Sequence, residues 1–225
     1  MFKNVEFSWN LLRNIFAQIL KGNSLVRVLI HHSLNDICLS GRILDLGSGS
    51  KAPSYVRFLR LRQPYKITHS DLLKAKGMAK INLELPFNLR SNSIDVVTCF
   101  NTLEHVFSYD NVFSEAHRIL VKGGMFVGST PLVAGYHPAP DDFFRYTHKA
   151  LIRIGQNVGF CCDMIVFLGF GPFAAAYSFL HSILPRAIRP FVACTGILMD
   201  LLLDKFSTQY RMRYALGYLF VFVKK

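Results

Sequence analysis

The middle of the sequence alternates between strand-like and helix-like segments, and this alternation limits the choice of folds more than any other feature. The stretch 101–124 has the pattern of a loop followed by a helix that ends at Gly123 and Gly124. Strands that alternate with helices predict a parallel sheet covered by helices on both faces. Short apolar runs typical of strands lie at 41–48, 65–73, 93–100 and 125–131.

Each of these predicted strands ends in or next to a polar residue. In open sheets of parallel strands, ligands bind in the crevice beyond the carboxyl ends of the strands. We therefore expect one crevice to collect the polar residues at the four strand ends, which are Asp45, Asp71, Asn101 and Thr130.

The segments on either side of this core are apolar. Trp9, Leu12, Phe16 and Ile19 recur at helical spacing, which predicts an amphipathic N-terminal helix. A chain of 225 residues is long enough to bury a sizeable core in one domain. We expect this single domain, 1–225, to consist of N-terminal helices over 1–40, a cofactor-binding core over 41–163, and an apolar helical insertion with the final strand over 164–225.

The segment 164–184 contains no Asp, Glu, Lys or Arg, and its length alone would allow it to span a bilayer. A Gly-Phe-Gly-Pro break at 169–172 favours instead a strand up to about Phe167 and a separate helix. Three interpretations stay open for this segment: a buried strand and helix, a helix that rests on a membrane, or a spanning helix.

The chain is strongly basic, with a formal net charge of +12. Between 57 and 80 there are seven Lys or Arg residues and one acid. This surplus favours anionic partners such as phospholipid head groups or nucleic acid, although a solvated basic surface would look the same. The five cysteines lack both a disulfide framework and a metal-ligand spacing, which predicts reduced thiols in a cytoplasmic protein without a metal.

The turn after the first predicted strand combines an acid with two glycines. Asp45 stands two residues before Gly47, and Gly49 follows, but the third glycine of a dinucleotide-binding turn is missing. An acid repels phosphate and attracts a cation, so the cofactor is expected to be cationic and to lack phosphate. Asp71, about twenty residues further on, stands where an acid accepts ribose hydroxyls. S-adenosylmethionine, a sulfonium with a ribose, fits both requirements.

The sequence resembles the class I S-adenosylmethionine-dependent methyltransferases, in the branch similar to quinone-biosynthesis and polysaccharide-cluster methyltransferases. The resemblance implies a Rossmann-like, doubly wound α/β fold with a mostly parallel seven-stranded sheet and helices on both faces. Five blocks in the family's order carry the resemblance: "ILDLGSGSKAPSY" (43–55), "SDLL" (70–73), "NLELPFNLRSNSIDVVTCFNTLEHV" (82–106), "EAHRILVKGGMFVGSTP" (115–131) and "HPAPDDFFRYTHKALIRIGQNVGF" (137–160).

The resemblance also implies which residues bind the cofactor. Asn82 stands where the family has an acid beside the adenine, so its side-chain oxygen is expected to take over one hydrogen bond. The methionine end of the cofactor is expected to contact Asp45, Gly47, Ser48 and Gly49, and the ribose is expected to contact Asp71. The adenine is expected to lie beside Asn82 and Leu83, and the transferable methyl group near Asn101.

The candidate residues at the acceptor end follow from the chemistry of methyl transfer. A nucleophilic acceptor benefits from a general base, and His137 and His105 are the candidates. The alternative role of His137 is that of a loop histidine that bonds to the backbone. The alternative role of His105 is that of a helix cap. Asp141, Arg145 and Tyr146 are candidates for substrate contacts, unless Arg145 instead forms a bridge to an Asp that holds its loop closed.

These observations predict an S-adenosylmethionine-dependent methyltransferase that acts on a small or a lipid- or glycan-linked acceptor. The apolar C-terminal region and the positive charge suggest peripheral contact with the inner membrane face. An RNA methyltransferase is one alternative, although the sequence offers no RNA-binding appendage, which argues against nucleic acid as a partner. A non-catalytic methyltransferase-like scaffold at a membrane is the other alternative.

Overall fold

The computed structural model describes residues 1–49, 53–73, 77–206 and 210–225. Its strands form one sheet. In chain order the eight strands are β1 (Phe2–Asn4), β2 (Cys38–Leu46), β3 (Arg60–Asp71), β4 (Ala79–Lys80), β5 (Ile94–Phe100), β6 (Leu120–Pro131), β7 (Phe160–Leu168) and β8 (Gly217–Lys224).

The spatial order of the strands is β1-β7-β8-β6-β5-β2-β3-β4. All neighbouring pairs are parallel except those of β8, which is antiparallel to both β6 and β7. The predicted mostly parallel α/β sheet is therefore confirmed. The eighth strand was not predicted: β1 adds to the sheet edge by pairing in parallel with β7, inside a segment expected to be helical.

Helices cover both faces of the sheet, as predicted. Consecutive residues of a strand point to opposite faces, so Ile43 joins the apolar core on one face and Leu44 the core on the other. The first face carries α1, α2, α5 and α6, and the second carries α3 and α4. The described residues form the helices α1 (Trp9–Leu20), α2 (Leu25–Leu34), α3 (Tyr109–Ile119), α4 (His148–Asn157), α5 (Pro172–Leu180), α6 (Arg189–Leu203) and α7 (Tyr210–Arg213).

The N-terminal helix buries a slightly different stripe from the predicted one. Leu12 and Ile19 are buried in the core together with Ile15, which lies between them on the same face. Trp9 is 67% exposed, and Phe16 packs edge-to-face against Phe191 on α6. The helix therefore presents an aromatic edge beside its buried stripe.

The predicted end of the central helix was wrong by four residues. Helix α3 ends at Ile119, and β6 begins at Leu120, which pairs with Ile94 on β5. The register then shifts so that the next paired residue on β6 is Met125, and Gly123 in the extra loop of chain has φ of +79°. The glycine thus serves a bulge inside a strand, where a left-handed backbone is required, instead of a helix cap.

The apolar segment 164–184 divides as the Gly-Phe-Gly-Pro break predicted. Strand β7 ends at Leu168, and α5 begins at Pro172. Helices α5, α6 and α7 form the predicted insertion between β7 and β8. Among the described residues, no helix has both the length and the apolar character needed to cross a membrane.

Candidate functional site

A cavity of about 780 Å³ opens at the carboxyl ends of β2, β3 and β5. This is the edge of the sheet at which ligands of doubly wound folds bind. The predicted site residues that line the cavity are Gly47, Gly49, Asp71, Asn82, Leu83, Asn101, His105 and Asp141.

Two of the four strand-end residues expected in this crevice lie elsewhere. Asp71 and Asn101 line the cavity, and Asn101 adopts a left-handed backbone with φ of 48° at the end of β5. Thr130 is buried outside the lining, and so is Asp45. The crevice therefore collects the ends of β3 and β5 and the turn after β2, and β6 contributes no side chain to it.

The glycine turn has a backbone that only glycine adopts without strain. Gly47 and Gly49 have φ of +64° and +65°. A Cβ atom on Gly47 would lie 2.3 Å from Cγ2 of Thr102, so the turn also packs too closely for a side chain. A Cβ atom on Gly49 would meet no atom of a described residue within 4 Å. Gly49 thus exposes its backbone to open space at the cavity wall, as a cradle for a ligand requires. Lys51 and Ala52 lie outside the described residues.

Asp71 is held in place by the turn that it faces. Its Oδ2 accepts a hydrogen bond from the Gly49 N–H at 2.9 Å, and its Oδ1 accepts one from the Leu73 N–H at 3.3 Å. Ser48 is turned away from the cavity, because its N–H and its hydroxyl both donate to the Ser70 carbonyl oxygen. The carboxylate of Asp71 is the anionic group of this wall.

Asp45 lies beneath the cavity, and three side chains hold it there. Its carboxylate accepts hydrogen bonds from the Tyr55 hydroxyl at 2.7 Å, the Thr98 hydroxyl at 2.7 Å and Nδ1 of His69 at 2.8 Å. Burial and the nearby Asp45 charge raise the pKa of Tyr55 well above its usual range, which keeps this hydroxyl a donor.

Sequence reasoning missed the three partners of Asp45, although two were within reach. Thr98 and His69 are the residues paired with Asp45 on the neighbouring strands β5 and β3. Aligning the predicted parallel strands would have placed these side chains beside the carboxylate. The resemblance implied a direct contact of Asp45 with the methionine end, whereas the structure buries Asp45 outside the cavity lining.

The far end of the cavity combines a polar turn with apolar walls. Oδ1 of Asn82 accepts the Glu84 N–H at 3.0 Å. The oxygen expected to take an adenine hydrogen bond is thus already used once in a local turn, while Nδ2 makes no hydrogen bond to any described residue. Apolar side chains suited to a flat ring also line the cavity: Leu72, Ile81, Leu83 and Val106.

A carboxylate and two imidazoles meet at the other end. Glu104 is fully buried, and neither of its carboxylate oxygens has a hydrogen-bond partner among the described residues. Nε2 of His105 and Nε2 of His137 each lie 3.9 Å from Oε1 of Glu104. Burial raises the pKa of Glu104 to about 7. His105 lines the cavity, whereas His137 approaches Glu104 from the loop after β6.

Arg145 and Tyr146 do not line the cavity, and the structure gives both a structural role. Two guanidinium nitrogens of Arg145 donate to both oxygens of Asp142, which is the alternative bridge considered for this loop. Hydrogen bonds from Arg145 lower the pKa of Asp142 well below its usual range. Tyr146 is buried, and its hydroxyl donates to the Leu103 carbonyl oxygen. Asp141 keeps a place in the lining.

Comparison with known proteins identifies the fold around this site. Residues 44–128, less than half of the chain, match the family model described as a methyltransferase domain. An S-adenosylmethionine-dependent methyltransferase from Mesorhizobium loti is similar over 91% of this chain and 100% of its own, with 16% identity and a TM-score of 0.53. The chain has a methyltransferase fold. No curated protein matches the sequence significantly.

Two further solved structures share this fold. Phosphoethanolamine N-methyltransferase 2 from Haemonchus contortus, in complex with S-adenosyl-L-methionine, matches 86% of this chain and 52% of its own at 16% identity and a TM-score of 0.52. The [4+2]-cyclase SpnF matches 88% of this chain and 81% of its own at 14% identity and a TM-score of 0.54. The family match and the fold support the predicted cofactor, and a cyclase among these structures means that the reaction must be argued from the site.

The methyltransferase fold generates a test of its glycine turn. We expect Gly47→Ala to lower the free energy of unfolding more than Gly49→Ala, because both substitutions strain a left-handed backbone at about 1–2 kcal/mol but only the first also collides with Thr102. Chemical denaturation measures both. Gly135→Ala is the control, since a Cβ there meets nothing within 4 Å. Equal losses for Gly47→Ala and Gly49→Ala would contradict this geometry.

Proposed function

We propose that the protein transfers a methyl group from S-adenosylmethionine to an acceptor that enters beside His105. The observation that carries the proposal is the cradle of Gly47, Gly49 and Asp71 at the carboxyl edge of the sheet. The turn offers backbone to a ligand without a phosphate, and Asp71 offers two oxygens to the hydroxyls of a ribose. The family match and the fold support this cofactor.

Four groups would bind S-adenosylmethionine, which supplies an electrophilic methyl group on a positively charged sulfur. Gly47 and Gly49 face the methionine part, Asp71 the ribose, and Asn82 the adenine among apolar walls. Asp45 does not touch the ligand, but its carboxylate lies under the turn and carries the charge that favours a cation above it. Asn101 completes the wall nearest the acceptor end.

The loop 131–146 closes the acceptor end of the cavity. Its Ala139, Pro140 and Phe143 line the cavity together with the glycine turn. The loop is anchored to the turn that carries Glu104, because the N–H groups of Phe143 and Phe144 donate to the Glu104 carbonyl oxygen. Such a wall excludes water from the reacting atoms, and alignment in a dry site supplies much of the rate of methyl transfer. His105 and His137 stay the proposed catalytic residues.

We further propose that the acceptor is amphiphilic and is met at an anionic phospholipid surface, as expected of a lipid-linked sugar or a quinone precursor. The observation behind this is an apolar patch of five side chains on α1 and α6. Phe191, Leu198 and Leu202 follow one face of α6 and are 61%, 38% and 63% exposed. Trp9 and Phe16 follow the adjoining face of α1, and Phe16 packs against Phe191.

Charges around the apolar patch favour an anionic surface. Arg13 is exposed one helical turn from both Trp9 and Phe16, and Arg186 is exposed in the connection before α6. Of the two acids between 172 and 206, Asp200 is buried and Asp204 pairs with Arg211 at 2.8 Å. Exposed apolar groups rimmed by bases are typical of surfaces that rest on membranes. The insertion leaves β7 at its carboxyl end, on the same edge of the sheet as the cavity.

Cofactor binding is tested by calorimetric titration with S-adenosylmethionine. We expect one site per chain, and we expect Asp71→Ala to weaken binding about 10- to 100-fold, because hydrogen bonds to a charged group contribute about 1.5–3 kcal/mol. Asp36→Ala, an exposed acid before β2, is the control and should bind as the parent chain does. Thermal melts show whether each variant is folded. Absence of binding to the parent chain, or unchanged binding to Asp71→Ala, would refute the proposed cofactor site.

Membrane contact is tested through Trp9, because the chain contains one tryptophan. We expect its emission to shift to shorter wavelength with phosphatidylglycerol vesicles, and much less with phosphatidylcholine vesicles. The double substitution of Phe191 and Leu202 by Ser should weaken binding at least about 10-fold, since each buried side chain contributes about 1.5–3 kcal/mol. Leu85→Ser, an exposed apolar residue outside the apolar patch, is the control. An unshifted spectrum with both lipids would count against membrane contact.

A further inference from the structure

The cluster of Glu104, His105 and His137 has the composition and spacing of a metal site. One ligand atom from each residue lies within 4.8 Å of the other two, and within the described residues this is the one group of three such side chains that could hold an ion. The residues come from two distant segments, the turn after β5 and the loop after β6. Spacing along the sequence therefore gave no sign of the site and led to the expectation of no metal.

Glu104 lacks any partner that would compensate its burial. Its side chain has 0% exposure, and among the described residues neither oxygen accepts a hydrogen bond. A buried polar group without a partner is rare and costly, and a buried carboxylate is usually paired or bound to a metal. The unpartnered oxygen atoms face the two imidazoles at 3.9 Å. Glu104 thus offers two carboxylate oxygens that no described residue engages in a hydrogen bond.

Both histidines are oriented to offer a lone pair to the same point. Nδ1 of His105 lies 2.6 Å from the Asp141 carbonyl oxygen, and Nδ1 of His137 lies 2.8 Å from the Gly135 carbonyl oxygen. Because a carbonyl oxygen only accepts, these short contacts favour the hydrogen on Nδ1 of each ring, and the competing contact of His137 Nδ1 with an Arg145 guanidinium nitrogen is longer, at 3.4 Å. In its neutral form, each ring then presents Nε2 as an acceptor toward Glu104. Backbone carbonyls that fix the second ring nitrogen are the usual outer contacts of metal-bound histidines.

The charges around the cluster leave room for a cation. The positive charge of Arg145 is taken up by both oxygens of Asp142, so these two residues are together neutral. In its ionised form, Glu104 would carry a negative charge that no hydrogen bond from a described residue offsets. A cation at the centre of the cluster would meet favourable charge as well as suitable ligand atoms.

We propose that Glu104, His105 and His137 bind a divalent transition-metal ion at the acceptor end of the cavity. Two imidazole nitrogens and one carboxylate oxygen suit zinc and its first-row neighbours. Ligand atoms about 2.1 Å from a tetrahedral zinc lie roughly 3.4 Å apart. The present 3.9 Å separations would therefore close by about half an ångström when the ion binds.

Three protein ligands leave coordination positions open, as in catalytic zinc sites. An acceptor hydroxyl in such a position would lose its proton to solvent more readily, and its oxygen would form the bond to the methyl carbon. The carbon–sulfur bond would break, with its electron pair left on the sulfur, which becomes neutral. This role of the ion rests on the proposed function, whereas the binding of the ion does not.

The test is a calorimetric titration of the full chain, free of any histidine tag and of S-adenosylmethionine, with Zn²⁺ alone. We expect one ion per chain, and we expect Glu104→Gln and His137→Ala each to weaken binding at least about 100-fold, since even outer contacts of a metal site affect affinity 10- to 100-fold. Co²⁺ gives a second readout, because its visible absorption should appear with the parent chain and disappear with both variants.

His181→Ala is the matched control. Nδ1 of His181 also lies 2.9 Å from a backbone carbonyl oxygen, that of Ser178, and His181 is not part of the cluster. Its variant should bind Zn²⁺ as the parent chain does. His137 is half-exposed, so its variant should fold even if Glu104→Gln does not. No Zn²⁺ binding by the parent chain, or unchanged binding by folded His137→Ala, overturns the metal site. Because no cofactor is present, neither result bears on S-adenosylmethionine binding.

Discussion

The site depends on the buried carboxylate of Asp45 and its three hydrogen-bond donors. Thr98 on β5 and His69 on β3 hold the carboxylate from the two strands that flank β2, and Tyr55 holds it from the turn below the cavity. A buried charge is tolerated when it is fully hydrogen-bonded. These bonds tie the three central strands together immediately before Gly47. They fix the position at which the glycine turn begins and, through β3, the position of Asp71.

Much of this part of the fold was predictable from the sequence, because it is encoded locally. The apolar run before Asp45, the glycines at 47 and 49, and the acid at 71 each have a meaning that does not need the rest of the chain. The same holds for the break at 169–172, which divided an apolar stretch into β7 and α5 correctly. Where neighbouring strands could be aligned, even the contacts of Thr98 and His69 were accessible in principle.

Features that depend on tertiary packing could not be predicted in the same way. Gly123 looks like a helix cap, but the pairing of Leu120 with Ile94 draws it into a strand bulge. Basic residues on β3 suggested an anionic partner, yet Arg60 and Arg62 lie on the part of β3 that the two-residue β4 leaves uncovered. Charges on such an edge keep it from pairing with other strands, which is a sufficient reason for them.

The acceptor end shows the same limit at the level of the site. Glu104 and His105 are adjacent in sequence, but His137 and the carbonyl of Asp141 come from a loop more than thirty residues further on. The burial of Glu104 depends on that loop, whose Phe143 and Phe144 bond to the Glu104 backbone. Of the two roles expected for Arg145, a substrate contact or a bridge to an Asp, the structure shows the bridge, which joins Arg145 to Asp142 in the same loop. The side chains at this end are thus brought together by the packing of this loop against the turn that carries Glu104.

The most direct test of the account is a crystal structure of the chain with S-adenosylhomocysteine, the product that methyl transfer would leave. The account predicts density along the cavity, with the amino-acid part against Gly47 and Gly49, the ribose hydroxyls on Asp71, and the sulfur directed toward the end where His105 lies. Ligand density at another place, or a ribose out of hydrogen-bonding reach of Asp71, would contradict it.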